Sequence, residues 1–146
     1  MPEISFYILP THSVQERYLF ACKLIEKTYR NHYFCYVLTD SSEQSQLMDD
    51  LLWTFRAGSF IPHQQNTGEI PDYKKTVLIG TLNAPESWKK TLVNLSSRCP
   101  QDFLEADRIL EILDNNEDII ETGRLRYRHY QQSGALIHIH KIGSQI

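Results

Sequence analysis

The sequence predicts an α/β fold: a single doubly wound, mostly parallel sheet with helices on both faces. Two observations lead there. Five short runs are apolar and β-prone almost throughout, as strands covered on both faces are. Stretches with apolar residues at helical spacing separate the first of them. The first half therefore reads strand, helix, strand, helix, and a parallel sheet with crossover helices closes such a pattern. A chain of 146 residues suits one domain over 1–146 with a single core.

Ile4-Ser5-Phe6-Tyr7-Ile8-Leu9 is the first strand, ended by Pro10. A helix follows from Ser13 to about Asn31, with Val14, Tyr18, Ala21, Cys22, Ile25 and Tyr29 on one face. Glu16, Arg17, Lys23 and Lys27 fall mostly elsewhere, and Ser13 with Glu16 forms a capping-box pattern. Phe34 to Thr39 is the second strand. Asp40-Ser41-Ser42-Glu43 repeats the capping signature and starts the second helix. His63 to Lys75, with Gly68, Pro71 and Asp72, reads as a long polar loop. Thr76–Gly80, Thr91–Leu95 and Arg108–Leu113 are three further strands, with at most a turn or two of helix at Pro100–Glu105. Asp114-Asn115-Asn116 offers caps for a last helix from about Glu117 to Gln132, which Ser133-Gly134 ends. Ala135–Lys141 can add a short edge strand.

The stretch Leu51-Leu52-Trp53-Thr54-Phe55-Arg56-Ala57-Gly58-Ser59-Phe60-Ile61-Pro62-His63 stands out. Leu47, Met48, Leu51, Leu52 and Phe55 form a helical stripe, and Trp53 lies about 100° from its neighbour on that wheel. The chain breaks at Gly58 and runs on extended. Trp53 and Phe60 are open to two readings: caps on the core, or anchors of a partner-binding patch at a helix end.

Net charge is −3, but residues 121–141 hold Arg124, Arg126, Arg128 and Lys141 against the single acid Glu121. A local basic patch on an acidic chain points to a specific anionic partner more than to general nucleic-acid binding. Ile120, Gly123, Tyr127 and Tyr130 share one face of the last helix, and Arg124 and Arg128 flank Tyr127. Cys22, Cys35 and Cys99 are scattered and read as free, mostly buried thiols. His138 and His140 share a strand face, but two ligands make no metal site. No run is long and apolar enough to span a bilayer. The start lacks a secretory pattern, so a cytoplasmic location is expected.

A doubly wound fold invites a nucleotide. Yet Pro10-Thr11-His12-Ser13-Val14 follows the first strand without glycine, and neither the phosphate-loop pattern nor the dinucleotide fingerprint occurs. A nucleophile elbow is missing too. Asp49 and Asp50 point about 100° apart on a helix and read as a solvated face.

With the elements in order, the sequence resembles the chi subunit of bacterial DNA polymerase III holoenzyme along nearly its whole length. The likeness is most specific at Leu51-Leu52-Trp53 through Ser59-Phe60-Ile61-Pro62-His63, and at Arg124-x-Arg126-Tyr127-Arg128-x-Tyr130 followed by Gly134. The family implies a nucleotide-binding-like fold without a phosphate loop, no catalytic residues, no cofactor and no metal. It also implies two protein partners. One is the psi subunit of the clamp loader. The other is the acidic C-terminal tail of single-stranded DNA-binding protein (SSB), which ends in Pro-Phe with a free carboxylate. DNA is then met only through SSB, and no membrane is involved.

On that resemblance Trp53 and Phe60 match the aromatics of the psi-contacting surface, with Pro62 and His63 shaping it. Arg124, Tyr127 and Arg128 match the tail-binding positions. Guanidinium groups take a carboxylate bidentately, and Tyr127 can flank the terminal ring. Arg128 replaces a lysine common in the family, and Ile120 replaces a lysine that some members carry. Ile137–Ile146 matches the family poorly. Two other readings compete: a nucleotide-dependent enzyme that has lost its fingerprint, and direct single-stranded DNA binding by the basic helix. The last lacks an aromatic-laced groove.

Overall fold

The computed structural model describes residues 2–31, 35–71 and 75–143. Phe34 and Asp72, placed above in a strand and a loop, lie outside those residues. Seven strands form one sheet: β1 (Glu3–Ile8), β2 (Tyr36–Leu38), β3 (His63–Gln65), β4 (Val77–Gly80), β5 (Thr91–Asn94), β6 (Arg108–Leu113) and β7 (Leu136–Lys141). Their order is β3-β4-β2-β5-β6-β1-β7. Every pairing among the described residues is parallel, so the sheet is more uniform than the sequence predicts.

The helices are α1 (Val14–Arg30), α2 (Ser42–Thr54) and α3 (Glu117–Gln132). One face of the sheet packs Val37, Val77, Ile79, Val93 and Ile112 under Ala21, Cys22 and Ile25 of α1 and Met48 and Leu52 of α2. The opposite face packs Ile4, Phe6, Leu78, Leu92 and Ile109 against Tyr130 of α3 and two single 3₁₀ turns that bring in Trp88 and Phe103. The sheet is therefore covered on both sides, and strand alternation sorts its side chains between two cores.

Caps fix the helix starts. Ser13 accepts the Glu16 N–H at 3.2 Å. At α2 the capping box is Ser41 with Gln44, not Asp40 with Glu43. Ser41 Oγ accepts the Gln44 N–H at 3.1 Å, and Gln44 Oε1 accepts the Asp40 N–H at 2.7 Å. α3 comes close to β6 because residue 123 is glycine: a Cβ there would lie 2.6 Å from Leu113 Cδ1.

Several expectations need correction. The polar stretch after Pro62 begins with a strand, β3, paired in parallel with β4. The Val77 N–H donates to Pro62 O at 2.8 Å and the Asn66 N–H to Ile79 O at 2.7 Å, so β3 is held by main-chain bonds that its polar side chains do not advertise. Leu47 leaves the stripe of α2 and is exposed, as is Val14 at the start of α1. Arg17 is buried, its Nε donating to Ile112 O at 2.8 Å and its Nη2 to Leu95 O at 3.3 Å. Cys22 and Cys35 are free and buried, their thiols pushed up to about 12 by burial. Cys99 is free and half-buried.

Candidate functional site

Two surfaces stand out, at the two ends of the sheet. At the β3 end, Trp53 in the last turn of α2 is 53% exposed and Phe60 in the following loop is 67% exposed. Their ring centroids are 5.9 Å apart. Trp53 also lies 4.5 Å from the His63 ring, whose side chain is closed off from solvent beneath it. His63 is fixed from both sides. Nδ1 is 2.7 Å from Ile61 O, and Nε2 is 3.0 Å from Asp49 O and 3.2 Å from the Asp49 carboxylate. Asp49 is thus engaged rather than simply solvated. Pro62, next to His63 in the chain, is half-buried. The structure brings Trp53, Phe60, Pro62 and His63 together.

The loop that presents Phe60 is anchored to α1. It passes Gly58 at φ +80°, a left-handed conformation that favours glycine. Glu26 of α1 is buried and accepts from the Ser59 hydroxyl. Arg56 reaches the same carboxylate at 2.9 Å and Arg30 at 3.3 Å. The Ser59 hydrogen bond, helped by the two guanidiniums, outweighs burial and holds the Glu26 pKa below the usual carboxylate range.

At the opposite end, α3, β1, β7 and the end of β6 enclose a groove of about 330 Å³. Phe6, Ile8, Leu113 and Ile139 floor it, and Ile120, Arg124 and Tyr127 of α3 form its wall. Tyr127 is half-buried and meets Phe6 edge-on at 5.8 Å. Arg124 and Arg128 are exposed, and neither makes an ion pair among the described residues. Arg124 and Tyr127 share the groove. Arg128 does not line it and lies one helical turn along from Arg124. The groove joins an apolar floor to a cationic rim, which suits a ring that carries a carboxylate.

Arg126 does not belong to the basic surface. It is 4% exposed and donates from Nη2 to Glu111 Oε1 at 3.0 Å and from Nε to both carboxylate oxygens at 3.1 Å. The Tyr130 hydroxyl donates to Glu111 Oε2 at 2.7 Å, and Asn94 Nδ2 donates to the same oxygen at 3.0 Å. Burial opposes the Arg126 charge, but Glu111 outweighs it and the guanidinium pKa rises. Burial, with Glu111 beside it, holds the Tyr130 hydroxyl well above the usual phenol range, so it remains a donor. This network seats α3 on the sheet and sets which face carries Arg124 and Tyr127. Sequence reading missed it, although Glu111 gave a signal as the one acid inside an apolar strand.

The carboxyl ends of the strands, where doubly wound folds receive ligands, form a third recess of about 570 Å³. Asp40, Glu43, Asp114 and Asp118 line it with carboxylates. Its guanidinium, Arg17, already serves two main-chain carbonyls. Such a lining repels a phosphate. His138 and His140 do share a face of β7. His138 is 3.1 Å from Glu3, and His140 stacks on Tyr7 at 4.8 Å. Among the described residues, no group of three or more His, Cys, Asp or Glu side chains is placed to hold a metal ion. No helix among them is long and apolar enough to cross a membrane.

Comparison with known proteins decides the family. The chain matches the description "DNA polymerase III chi subunit, HolC" over residues 1–138. It belongs to that family. The DNA polymerase III subunit chi of Pseudomonas aeruginosa is 27% identical over 144 residues, covering 97% of this chain and 98% of that protein. Membership places the chain among the subunits of DNA polymerase III, and so in DNA replication with protein partners in that assembly. The crystal structure of T4 UvsW aligns with a TM-score of 0.67 at 10% identity, over 97% of this chain and 41% of that one. At that identity the likeness concerns the fold alone.

Proposed function

We propose that the chain is a non-catalytic adaptor of DNA polymerase III holoenzyme that joins the clamp loader, through psi, to the acidic C-terminal tail of SSB. The observation that supports this best is the pairing of two unlike surfaces at opposite ends of one sheet. The exposed Trp53–Phe60 pair lies beside β3, and the apolar groove rimmed by Arg124 lies beside β7. Six strand spacings of about 4.8 Å put them roughly 29 Å apart, so both partners can bind at once. Trp53, Phe60, Pro62 and His63 make the psi surface. Arg124 and Tyr127 hold the terminal residue of the tail, and Arg128 meets its acids from one turn away. DNA is reached only through SSB, and the adaptor works in the cytoplasm. The carboxylate lining of the recess at the strand ends weighs against the competing nucleotide-dependent reading.

The test is a fluorescent peptide that copies the acidic tail and ends in Pro-Phe with a free carboxylate. Arg124→Ala with Arg128→Ala is expected to weaken it by at least about 1.5–3 kcal/mol, the scale of one hydrogen bond to a charged group. Equal affinity for the wild type and the double variant rejects the assignment.

A further inference from the structure

β7 is the last strand of the sheet, and among the described residues nothing pairs with its outer side. It is six residues long, twice the length of β3 at the other edge. Proteins usually blunt such edges by shortening, proline or bulges, since free main-chain groups recruit another strand. β7 contains no proline and keeps register with β1 from Leu136 to Lys141.

The direction of its main-chain groups follows from its two ends. The Leu136 N–H donates to Pro2 O at 3.3 Å, and the Ile142 N–H donates to Ile8 O at 2.9 Å. Donors alternate along a strand. Leu136, His138, His140 and Ile142 therefore face β1, whereas Ile137, Ile139 and Lys141 turn N–H and C=O to the open edge. Ile139 is the residue whose side chain helps floor the groove. It thus offers apolar surface to the groove and main-chain bonds to whatever lies beside it. Lys141 shares its strand face and, like Arg124 and Arg128, makes no ion pair among the described residues.

From this continuity of groove and edge we propose that an acidic peptide ending in an aromatic carboxylate binds as an eighth strand along β7. This rests on the reading that the groove receives the SSB tail. The terminal ring enters the groove beside Ile139 and Tyr127, its carboxylate meets Arg124, and the preceding residues pair with the outward groups of Ile137, Ile139 and Lys141. Main-chain pairing then supplies affinity, while groove and charge supply selectivity. Proline sets the register. It has no N–H, so the penultimate residue must occupy a slot that faces away from β7. The terminal Phe and the residues two and four before it then face β7.

N-methyl scanning of the tail peptide against the intact protein tests this. Methylation two or four residues before the terminal Phe is expected to weaken binding roughly three- to tenfold, the loss of one main-chain bond. Methylation three residues before it should leave affinity unchanged. Amide exchange gives the same pattern from the protein side. Peptide should slow Ile137, Ile139 and Lys141 and leave Leu136, His138 and His140 as they were. A peptide that binds without this alternation overturns the strand pairing but keeps the tail assignment. A peptide that does not bind even unmethylated overturns both.

Discussion

At the β3 edge the exposed apolar surface stands proud. Trp53 and Phe60 rise from a helix end and a tethered loop, with a buried histidine beneath them. At the β7 edge the apolar surface is recessed between α3 and the sheet, and its charge lies on the rim. On the proposed reading the first is presented to psi, a partner that must then be folded or fold around it. The second can receive a single inserted side chain, which on the proposed reading comes from a thin, flexible segment. One sheet thus offers a plug and a socket, and the supports differ accordingly. The plug is held by a half-exposed ion cluster around Glu26, the socket by a buried one around Glu111.

The largest expected effect lies in that second support. Glu111 and Arg126 are both buried, and removing one member of a buried pair leaves the other charge unpaired. Arg126→Ala should destabilise the protein by about 3–5 kcal/mol in urea unfolding. A loss under about 1 kcal/mol would mean that α3 is seated by its apolar contacts alone. Arg128→Ala, two residues away and exposed, should leave stability within about 0.5 kcal/mol. Two arginines of one motif would then separate into a strut and a contact.

Next in size is the plug. Trp53→Ala should cost psi binding about 2 kcal/mol or more, the scale of a central aromatic anchor. It should leave affinity for the tail peptide unchanged within about 0.5 kcal/mol, since distant sites act independently. Calorimetry with each partner on the same variant measures both. Loss of tail binding in a folded Trp53→Ala protein would show that plug and socket are coupled through the sheet.

The sequence shows the apolar strands well, because buried parallel strands are continuous hydrophobic runs. It shows the helices as well, because capping and periodicity agree. It hides β3, whose His63-Gln64-Gln65 pairs through its main chain at an edge. It also hides the fate of individual charges. Arg17, Glu26 and Arg126 occur in helices where a charged residue is normally solvated, yet all three are buried. The Arg17 acceptors lie 78 and 95 residues away in sequence, a relation that helical spacing cannot show. The Trp53–Phe60 pair and the Arg124–Tyr127 pair were legible because each falls within a few residues of one element. The groove floor was not, since Phe6, Leu113 and Ile139 come from three strands that only the topology brings together.

The smallest effect sharpens the comparison at the plug's own support. The folded pKa of Glu26 is lowered, chiefly by the Ser59 hydrogen bond and then by Arg30 and Arg56. Its contribution is therefore complete above the unfolded value of about 4.3 and is lost as pH falls through that value toward the folded one. Arg30 and Arg56 are more than half exposed, so solvent screening keeps the gain at neutral pH below about 1 kcal/mol. Glu26→Gln should lower the urea midpoint slightly at about pH 7, and the gap to wild type should narrow as pH falls below about 4.3 toward the lowered folded value. A gap that widens in acid would reverse the sign and show that Glu26 is strained by burial rather than held by Ser59. Because Ser59 adjoins Phe60, the same variant should weaken psi slightly and leave the tail peptide untouched.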